Sequence, residues 1–303
     1  LSMIYSQGGE IHSNLGIGWN LSLSNQIFKH YNITDNDDGT QNYEADGLFF
    51  NSNKLILVEG ELFENNSTYK TKVDDFAKYV YNDNNVTRYL KNGIIEFYSY
   101  KVDSFVLTKK VDRFGNAIKY NYYETLNYFT SESTNNYTYL KSIEYDGYKV
   151  VFEYLNREDI ILKKSFENNL IQIGDGSYRI YDKKLDTIDI QTDENTSIAR
   201  YELDYEEQTD ASTLLKLDTI TYCVSDKCLE PLEFTWSGEN NYTSLHTITD
   251  SRDNTDTISY KTQDEKYVVA NIVSQKGTIS DTITYTYDFA DNGRIGWEQS
   301  SSI

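Results

Sequence analysis

The two cysteines of the chain are the residues whose spacing points most directly to chemistry. Cys223 and Cys228 are its only cysteines, and four residues separate them between two runs of alternating apolar residues. A structural zinc site needs about four nitrogen or sulfur ligands, and no second cysteine or histidine pair lies near them in the sequence. The spacing therefore favours a disulfide across the tip of a hairpin, which would imply an oxidising compartment. Two reduced thiols in a loop are the alternative, and no metal site is expected.

The other reactive side chains do not form a recognisable catalytic pattern. The three histidines, His12, His30 and His246, stand apart, and neither an H-E-x-x-H nor a G-x-S-x-G motif occurs. Glu59 and Glu61 form an E-x-E pair of the kind found in some ADP-ribosyltransferases, but apolar runs on both sides of the pair indicate a hairpin. The sequence therefore predicts a protein that is not an enzyme and has no cofactor.

Charge and hydropathy limit the partners of the chain. Its 303 residues include 48 acidic and 28 basic side chains, for a net charge of −20. This charge would repel a phosphate backbone and an anionic membrane surface, so nucleic acid and lipid are not expected partners. The sequence contains no apolar run long enough to cross a bilayer, so we expect no membrane insertion by this segment. The opening L-S-M-I-Y has the pattern of a strand interior, and we expect the chain to belong to a longer polypeptide.

The alternation of apolar and polar residues predicts an all-β protein. Tyr201, Leu203 and Tyr205 alternate with acidic residues, and 118–122 and 283–287 repeat this period. Such a period is typical of strands with one buried face, and no window of about 11 residues has a helical period. Asx-Gly pairs between these runs predict hairpin turns. They are Asp38-Gly39, Asp46-Gly47, Asn92-Gly93, Asp146-Gly147, Asp175-Gly176 and Asn292-Gly293, and Gly115-Asn116 is a further turn signal. We therefore expect consecutive antiparallel hairpins that form a coiled, extended sheet.

An imperfect repeat runs through the second half of the chain. Each copy has an L-x-x-I element, a polar turn and a strand that ends in closely spaced aromatic residues. The copies are Leu140/Ile143 to Tyr154, Leu185/Ile188 to Tyr205, and Leu217/Ile220 to Trp236, with weaker ones from Ile248 to Tyr260 and from Ile272 to Tyr287. Strand pairs that cannot bury a face alone pack on their neighbours, so the repeat favours a continuous coiling sheet. The ordinary redundancy of a β-meander is the alternative.

Two glycine-containing segments have the pattern of bends between strands. The G-I-G-W segment contains Gly16, Gly18 and Trp19 and predicts a strand, a glycine bend and a second strand, and the D-R-F-G-N segment contains Gly115 and Asn116. The first segment resembles the start of the SpvB-like proteins and of the B-components of insecticidal toxin complexes. The second resembles a unit of the Rhs/YD repeats with which these proteins are associated.

The segment 216–236 carries the third part of this resemblance. It contains both cysteines and Pro231, the only proline, and it ends in Phe234 and Trp236, which match the F-x-W strand of the family. The resemblance implies three regions: an SpvB-like N-terminal β region at 1–124, a hairpin-repeat region with the Cys-x4-Cys hairpin at 138–237, and the start of a post-propeller, pre-Rhs β region at 245–303. In the toxin B-components a β-propeller follows the F-x-W strand, and this chain lacks such repeats.

The resemblance also implies a function. The chain would be a non-catalytic part of a secreted bacterial toxin-complex-type protein, within an Rhs-like β-shell that encloses and delivers a toxic effector. Its partners would be the effector cargo and either the rest of its own polypeptide or a C-component that completes the shell. Several residues would act as structural anchors. They are the aromatic residues Trp19, Trp236, Tyr154, Tyr205, Tyr287 and Phe234, together with Gly16, Gly18, Gly115, Asn116 and Pro231. The alternative function is a secreted or surface β-rich module that recognises a host glycan or protein through exposed tyrosines.

Overall fold

The described residues of the chain form strands and turns, which confirms the all-β prediction. The computed structural model describes residues 2–6, 13–21, 26–35, 41–51, 53–73, 75–101, 104–123, 138–157, 183–206, 214–237, 244–263, 266–289 and 295–302. No helix in these ranges is long and apolar enough to span a membrane. Consecutive strands pair antiparallel in one large sheet, and a separate two-stranded sheet is formed by β1 (Met3–Tyr5) and β2 (Trp19–Leu21).

The first part of the large sheet is a closed ring of eight strands. The ring closes because β10 pairs with β9 along one edge and with β3 along the other, so that Phe105 lies opposite both Tyr100 and Ile27. The strands of the ring are β3 (Gln26–Asp35), β4 (Gln41–Phe50), β5 (Asn53–Glu59), β6 (Ser67–Thr71), β7 (Lys78–Asn82), β8 (Asn85–Tyr89), β9 (Ile95–Lys101) and β10 (Ser104–Val111). Aromatic residues fill the ring, among them the fully buried Tyr69 and Tyr79. The ring was not expected from the sequence.

The rest of the sheet is a meander that begins where β10 leaves β3. The C-terminal half of β10 pairs with β11, as in the pair of Lys110 with Ile118, and each later strand pairs with the one before it. One variation occurs at β16, which pairs with the short β17 at its end and with β18 nearer its start. The strands are β11 (Ala117–Tyr122), β12 (Leu140–Tyr145), β13 (Tyr148–Asn156), β14 (Lys183–Thr192), β15 (Ser197–Tyr205), β16 (Leu217–Val224), β17 (Lys227–Cys228), β18 (Leu232–Ser237), β19 (Ser244–Thr249), β20 (Thr255–Gln263), β21 (Lys266–Lys276), β22 (Ile279–Phe289) and β23 (Ile295–Ser302).

The meander has a second apolar core on its inner face. Phe152, Leu185, Leu217 and Phe234 are buried there together with residues of the N-terminal strands. Leu140 and Ile143 of β12 pack against both this core and the core of the ring. The two cores are therefore continuous along the sheet. The region boundaries at 124, 138, 237 and 245 remain predictions.

The structure corrects one predicted turn. Asp46 and Gly47 lie inside β4, where the pairing with β3 shifts by one residue, so they form a β-bulge. Neither residue has the positive φ that a type I′ turn requires. The bulge directs the Asp46 carboxylate to His30, with a 2.5 Å distance from its Oδ1 to Nδ1. An Asx-Gly pair suits a bulge as well as a turn, and only the strand pairing distinguishes them.

The other predicted turns are confirmed where the structure describes them. Asn92-Gly93 connects β8 to β9, Gly115-Asn116 connects β10 to β11, and Asp146-Gly147 connects β12 to β13. The pairs at 38–39, 175–176 and 292–293 lie outside the described residues.

Candidate functional site: an aromatic ladder and the N-terminal segment packed on it

The L-x-x-I repeat corresponds to a β-bulge that recurs on alternate strands of the meander. In β14, Leu185 pairs with Tyr154 and Thr187 pairs with Glu153, so Asp186 between them has no partner in the register. This extra residue brings Leu185 and Ile188, three positions apart, to the same buried face. Equivalent unpaired residues follow from the registers of the other strands at Lys141 in β12, Asp218 in β16, His246 in β19 and Ala270 in β21.

An aromatic side chain donates to the carbonyl beside the bulges of β12, β14, β16 and β19, and beside a similar bulge at Thr108 of β10. Tyr205 pairs with Leu217 on the strand after it and donates its hydroxyl to the carbonyl of Leu185 on the strand before it, at 2.6 Å. Three other tyrosine hydroxyls donate in the same way, from Tyr122 to Leu107 at 2.8 Å, from Tyr154 to Leu140 at 3.0 Å and from Tyr260 to Leu245 at 2.6 Å. The indole N–H of Trp236 donates to the carbonyl of Leu217 at 2.9 Å. We call these five residues the aromatic ladder. A bulge interrupts the strand-to-strand hydrogen bonds, and the aromatic donor satisfies the carbonyl beside it.

Removing one hydroxyl from the ladder is expected to destabilise the fold. Burial raises the pKa of Tyr205, so its hydroxyl stays a donor at neutral pH. Tyr205→Phe leaves the Leu185 carbonyl without this donor, and we expect the free energy of unfolding to fall by about 1–3 kcal/mol. Urea denaturation measures the change. Tyr201→Phe is the matched control, because Tyr201 lies on the same strand and is 37% exposed. Equal effects of the two substitutions would contradict this role for Tyr205.

The N-terminal segment, residues 2–6 and 13–21, packs on the inner face of the meander. Its backbone bonds directly to other strands, since the Leu185 amide donates to the Asn14 carbonyl at 2.8 Å and the Ile17 amide donates to the Leu215 carbonyl at 2.9 Å. The Tyr5 hydroxyl accepts a hydrogen bond from the amide of Leu245 at 2.9 Å. The segment therefore connects strands that are distant along the chain.

Two glycines shape this segment. Gly16 and Gly18 have φ angles of 87° and 75°, which glycine adopts without a steric penalty. A Cβ on Gly16 would lie 2.5 Å from the Leu215 carbonyl oxygen, and a Cβ on Gly18 would lie 2.6 Å from the Tyr5 ring. The G-x-G-W pattern is therefore explained by close backbone contacts as well as by the bend.

Trp19 connects the N-terminal segment to β18. Its ring makes edge contacts with Tyr5 and Phe234, at centroid distances of 5.4 Å and 5.2 Å, and Tyr5 also contacts Trp236 at 6.0 Å. Trp19 and Phe234 are buried. The resemblance to the F-x-W strand therefore marks residues that the structure places together with the G-x-G-W segment. The anchor proposed at Tyr287 has its side chain outside the described part of the chain.

The Gly115-Asn116 turn is organised by an aspartate. The Asp112 Oδ1 accepts hydrogen bonds from the amides of Phe114 and Asn116, and the Asp112 Oδ2 accepts one from the Asn116 side chain at 2.8 Å. Gly115 has a φ of 91° and open space around its α-carbon. The D-S-R-D-N turn between β19 and β20 repeats this arrangement, with Asp250 in the place of Asp112.

The Asp250 turn gives a pH-dependent prediction. The side chain of Asn254 and the amide of Arg252 donate to the Asp250 carboxylate and lower its pKa to about 2 from 3.8. Because the folded pKa is the lower one, the stabilisation is present above about pH 4 and is lost as the pH falls towards 2. NMR titration of the carboxyl carbon should show this pKa, and Asn254→Ala should raise it. An Asp250 pKa near 3.8 in the unaltered chain would contradict the turn geometry.

The cysteine hairpin lies at the end of β16. Cys223 and Cys228 pair across β16 and β17 and are joined by a disulfide, with their Cα atoms 4.0 Å apart. Cys223 is buried, whereas Cys228 is exposed. Pro231 is half-buried just before β18, at a position outside the strand registers that needs no backbone donor.

The residues with catalytic potential lie in separate structural settings. His30 contacts Asp46 in the ring, and His246 Nδ1 lies 3.3 Å from the Ile258 carbonyl in the meander. Glu59 ends β5 and Glu61 lies in the loop that leads to β6; both are exposed, and β5 and β6 pair as the predicted hairpin. His12 lies outside the described residues.

The sequence did not reveal a network of charges buried in the ring. The Arg88 guanidinium donates to Glu96 at 3.0 Å and to Asp75 at 3.1 Å, and it lies 4.3 Å from the centre of the Phe50 ring. Tyr98 donates its hydroxyl to the same Glu96 carboxylate at 3.0 Å. These mutual contacts offset part of the loss of solvation and suit a structural role.

The fold resembles those of bacterial toxin proteins. No protein-family model matches the sequence, and no curated protein matches it. The N-terminal domain of the effector protein SpvB from Salmonella typhimurium strain LT2 matches 73% of this chain and 92% of that domain, with 13% identity and a TM-score of 0.54. The crystal structure of TcdB2-TccC3-Cdc42 matches over 96% of this chain, with 12% identity and a TM-score of 0.51.

The Photorhabdus luminescens Tc holotoxin pore gives a similar result, over 97% of this chain, with 11% identity and a TM-score of 0.51. The chain spans 18% of the length of each of these two toxin chains. At such identities the likeness shows the fold. The chain therefore has an SpvB-like, Tc-toxin-like β fold.

Proposed function

We propose that this chain is a structural part of a secreted bacterial toxin-complex-type protein and forms part of a β-shell that encloses and delivers an effector. The observation that carries the proposal is the shared fold with the TcdB2-TccC3 structure over 96% of this chain. Because the chain spans 18% of that toxin chain, the rest of its own polypeptide or a C-component would complete the shell. The cargo would be the effector.

The geometry of the sheet supports a mechanical role. The strands β3–β10 close into a ring, so this part of the sheet has few edges that could pair with another protein. The bulge and its aromatic donor recur along the meander and give successive strand pairs the same contacts. A repeated unit of this kind can extend a curved wall by adding further copies. We propose no catalytic residue for this wall.

Protease protection of the cargo tests the shell. The full-length polypeptide that carries this sequence would be assembled with its shell partner and digested, and the cargo would be followed on gels. We expect the cargo to resist cleavage until the shell is unfolded by denaturant. Cleavage at the rate of the free cargo would contradict enclosure. The Phe114→Ala variant, altered at an exposed turn residue, should protect the cargo equally well.

The alternative of a glycan-binding module is favoured by one observation. Tyr145 and Tyr148 face each other at the β12–β13 turn and are 48% and 58% exposed. A cavity of about 370 Å³ beside this turn is also lined by Asp193 and Asn195. Exposed aromatic rings with nearby polar groups suit sugar binding. Binding on a glycan array that is lost in a Tyr145→Ala, Tyr148→Ala double variant would favour this function, whereas unchanged or absent binding would count against it.

A further inference from the structure

A potential ligand set for a metal lies on the outer face of the meander. The sulfur atoms of Cys223 and Cys228 and a carboxylate oxygen of Glu202 lie within 4.8 Å of one another. In the register of β15 and β16, Cys223 lies opposite Arg200, and Glu202 lies two residues further along β15 on the same face. The strand pairing therefore brings a carboxylate to the two sulfurs, although more than 20 residues separate it from them in the sequence.

We propose that the reduced form of the Cys223–Cys228 pair binds a divalent zinc-type cation together with Glu202. Thiolate sulfur and carboxylate oxygen are both zinc ligands, and three protein ligands leave a fourth position for water. The site is distinct from the four-ligand structural zinc site that the sequence argues against, because Glu202 supplies the third ligand and water the fourth.

The backbone is arranged so that the thiols stay adjacent after reduction. The Cα atoms of Cys223 and Cys228 are 4.0 Å apart, and the neighbouring pair of Val224 with Lys227 continues the same register. With metal–ligand bonds of about 2.0–2.3 Å, the ligand atoms of one tetrahedron lie about 3.5 Å apart. Since the three ligand atoms already lie within 4.8 Å of one another, we expect rotamer changes to bring them to this spacing.

The Glu202 carboxylate keeps one oxygen available to a metal. The Arg200 Nη2 donates to the Glu202 Oε1 at 2.6 Å, and the carboxylate has a second oxygen to offer a metal. Asp204 of β15 and Glu233 of β18 both pair with Thr219 of β16, so the two carboxylates lie on the same outer face. The chain as a whole carries a net charge of −20, which raises the local concentration of cations.

Reduction and metal binding form a balanced sequence of steps. Two molecules of a low-molecular-weight thiol reduce the disulfide, beginning at the exposed Cys228, and become one disulfide while the protein gains two thiols. The cation then binds both sulfurs and displaces their two protons. The same hairpin would hold a disulfide in an oxidising compartment and a metal in a reducing one.

Calorimetric titration with Zn²⁺ alone tests the proposal. It is carried out on the oxidised protein and on protein reduced with a phosphine. We expect one equivalent to bind the reduced chain and none to bind the hairpin of the oxidised chain. Titration with Cd²⁺ should produce a thiolate-to-metal charge-transfer band in the reduced chain only. The Cys223→Ser, Cys228→Ser double variant should lose both signals.

Two carboxylate variants test the role of Glu202. Because changes outside the ligand shell already weaken metal sites 10–100-fold, Glu202→Gln should weaken binding at least about tenfold. Glu233→Gln is the matched control, since it removes the same charge from the same face and should leave the affinity unchanged. Absence of binding to the reduced chain, binding that survives loss of both cysteines, or equal affinities of the two carboxylate variants would each overturn the proposed site.

Discussion

Replacing Phe234 with alanine is expected to lower the free energy of unfolding by about 3–5 kcal/mol, the typical loss for a buried phenylalanine. Phe234 is 3% exposed and contacts the Trp19 ring at a centroid distance of 5.2 Å. Its removal would leave a cavity between β18 and the N-terminal segment. The surrounding residues come from several strands and cannot all move into this cavity together, so we expect an effect in the upper part of the range.

Urea denaturation followed by tryptophan fluorescence measures this change, because Trp19 reports on the same contact. Phe114→Ala is the matched control, since Phe114 is 76% exposed at the β10–β11 turn, and we expect a change within about 0.5 kcal/mol. If the two substitutions had similar effects, Phe234 would not be a principal contact between the N-terminal segment and the meander.

The sequence predicted part of the local structure of the meander. The period of two residues predicted strands such as β11, β15 and β22, and the signals at Gly115-Asn116 and Asp146-Gly147 predicted two of its turns, because both kinds of signal depend on residues close together in the chain. The turns at 193–196, 250–254 and 277–278 contain no Asx-Gly pair. The L-x-x-I spacing also indicates a β-bulge, which the strand prediction did not include. Residues three positions apart, such as Leu185 and Ile188, face the same side of a strand only if a bulge separates them.

Long-range pairing could not be predicted in the same way. The ring depends on the pairing of Phe105 with Ile27, and the hydrogen bond from Tyr205 to Leu185 depends on the register of two strands. Register follows from the fit of whole strands, and the two-residue pattern is compatible with several registers. The proximity of Glu202 to the cysteines was missed for the same reason.

The N-terminal segment shows the same division between local and distant information. Gly16 and Gly18 predicted a bend before Trp19, and the structure has that bend. The surface on which the bend packs is formed by residues such as Leu215 and Leu245, which no pattern in the first 21 residues identifies. Glycine patterns indicate which backbone angles a segment adopts, and they do not indicate its partner.

Replacing Gly16 with alanine is expected to destabilise the fold by roughly 3 kcal/mol. About 1–2 kcal/mol comes from placing a side chain at a φ of 87°. The rest comes from the new Cβ, which would lie 2.5 Å from the Leu215 carbonyl oxygen and would disturb the hydrogen bond that the Ile17 amide donates to it. Thermal and urea denaturation measure the loss.

Two further glycine variants separate the two causes. Gly115 has a φ of 91° but nothing within 4 Å of its added Cβ, so Gly115→Ala should lose only about 1 kcal/mol. The Cβ of Gly18→Ala would meet the Tyr5 ring, which can rotate away, so its effect should fall between the other two. The order Gly16, Gly18, Gly115 follows from whether the added methyl group meets backbone, a side chain or open space. Equal losses at all three positions would mean that the φ angle alone determines the cost, and that the contact between the N-terminal segment and Leu215 is loose enough to accept a methyl group.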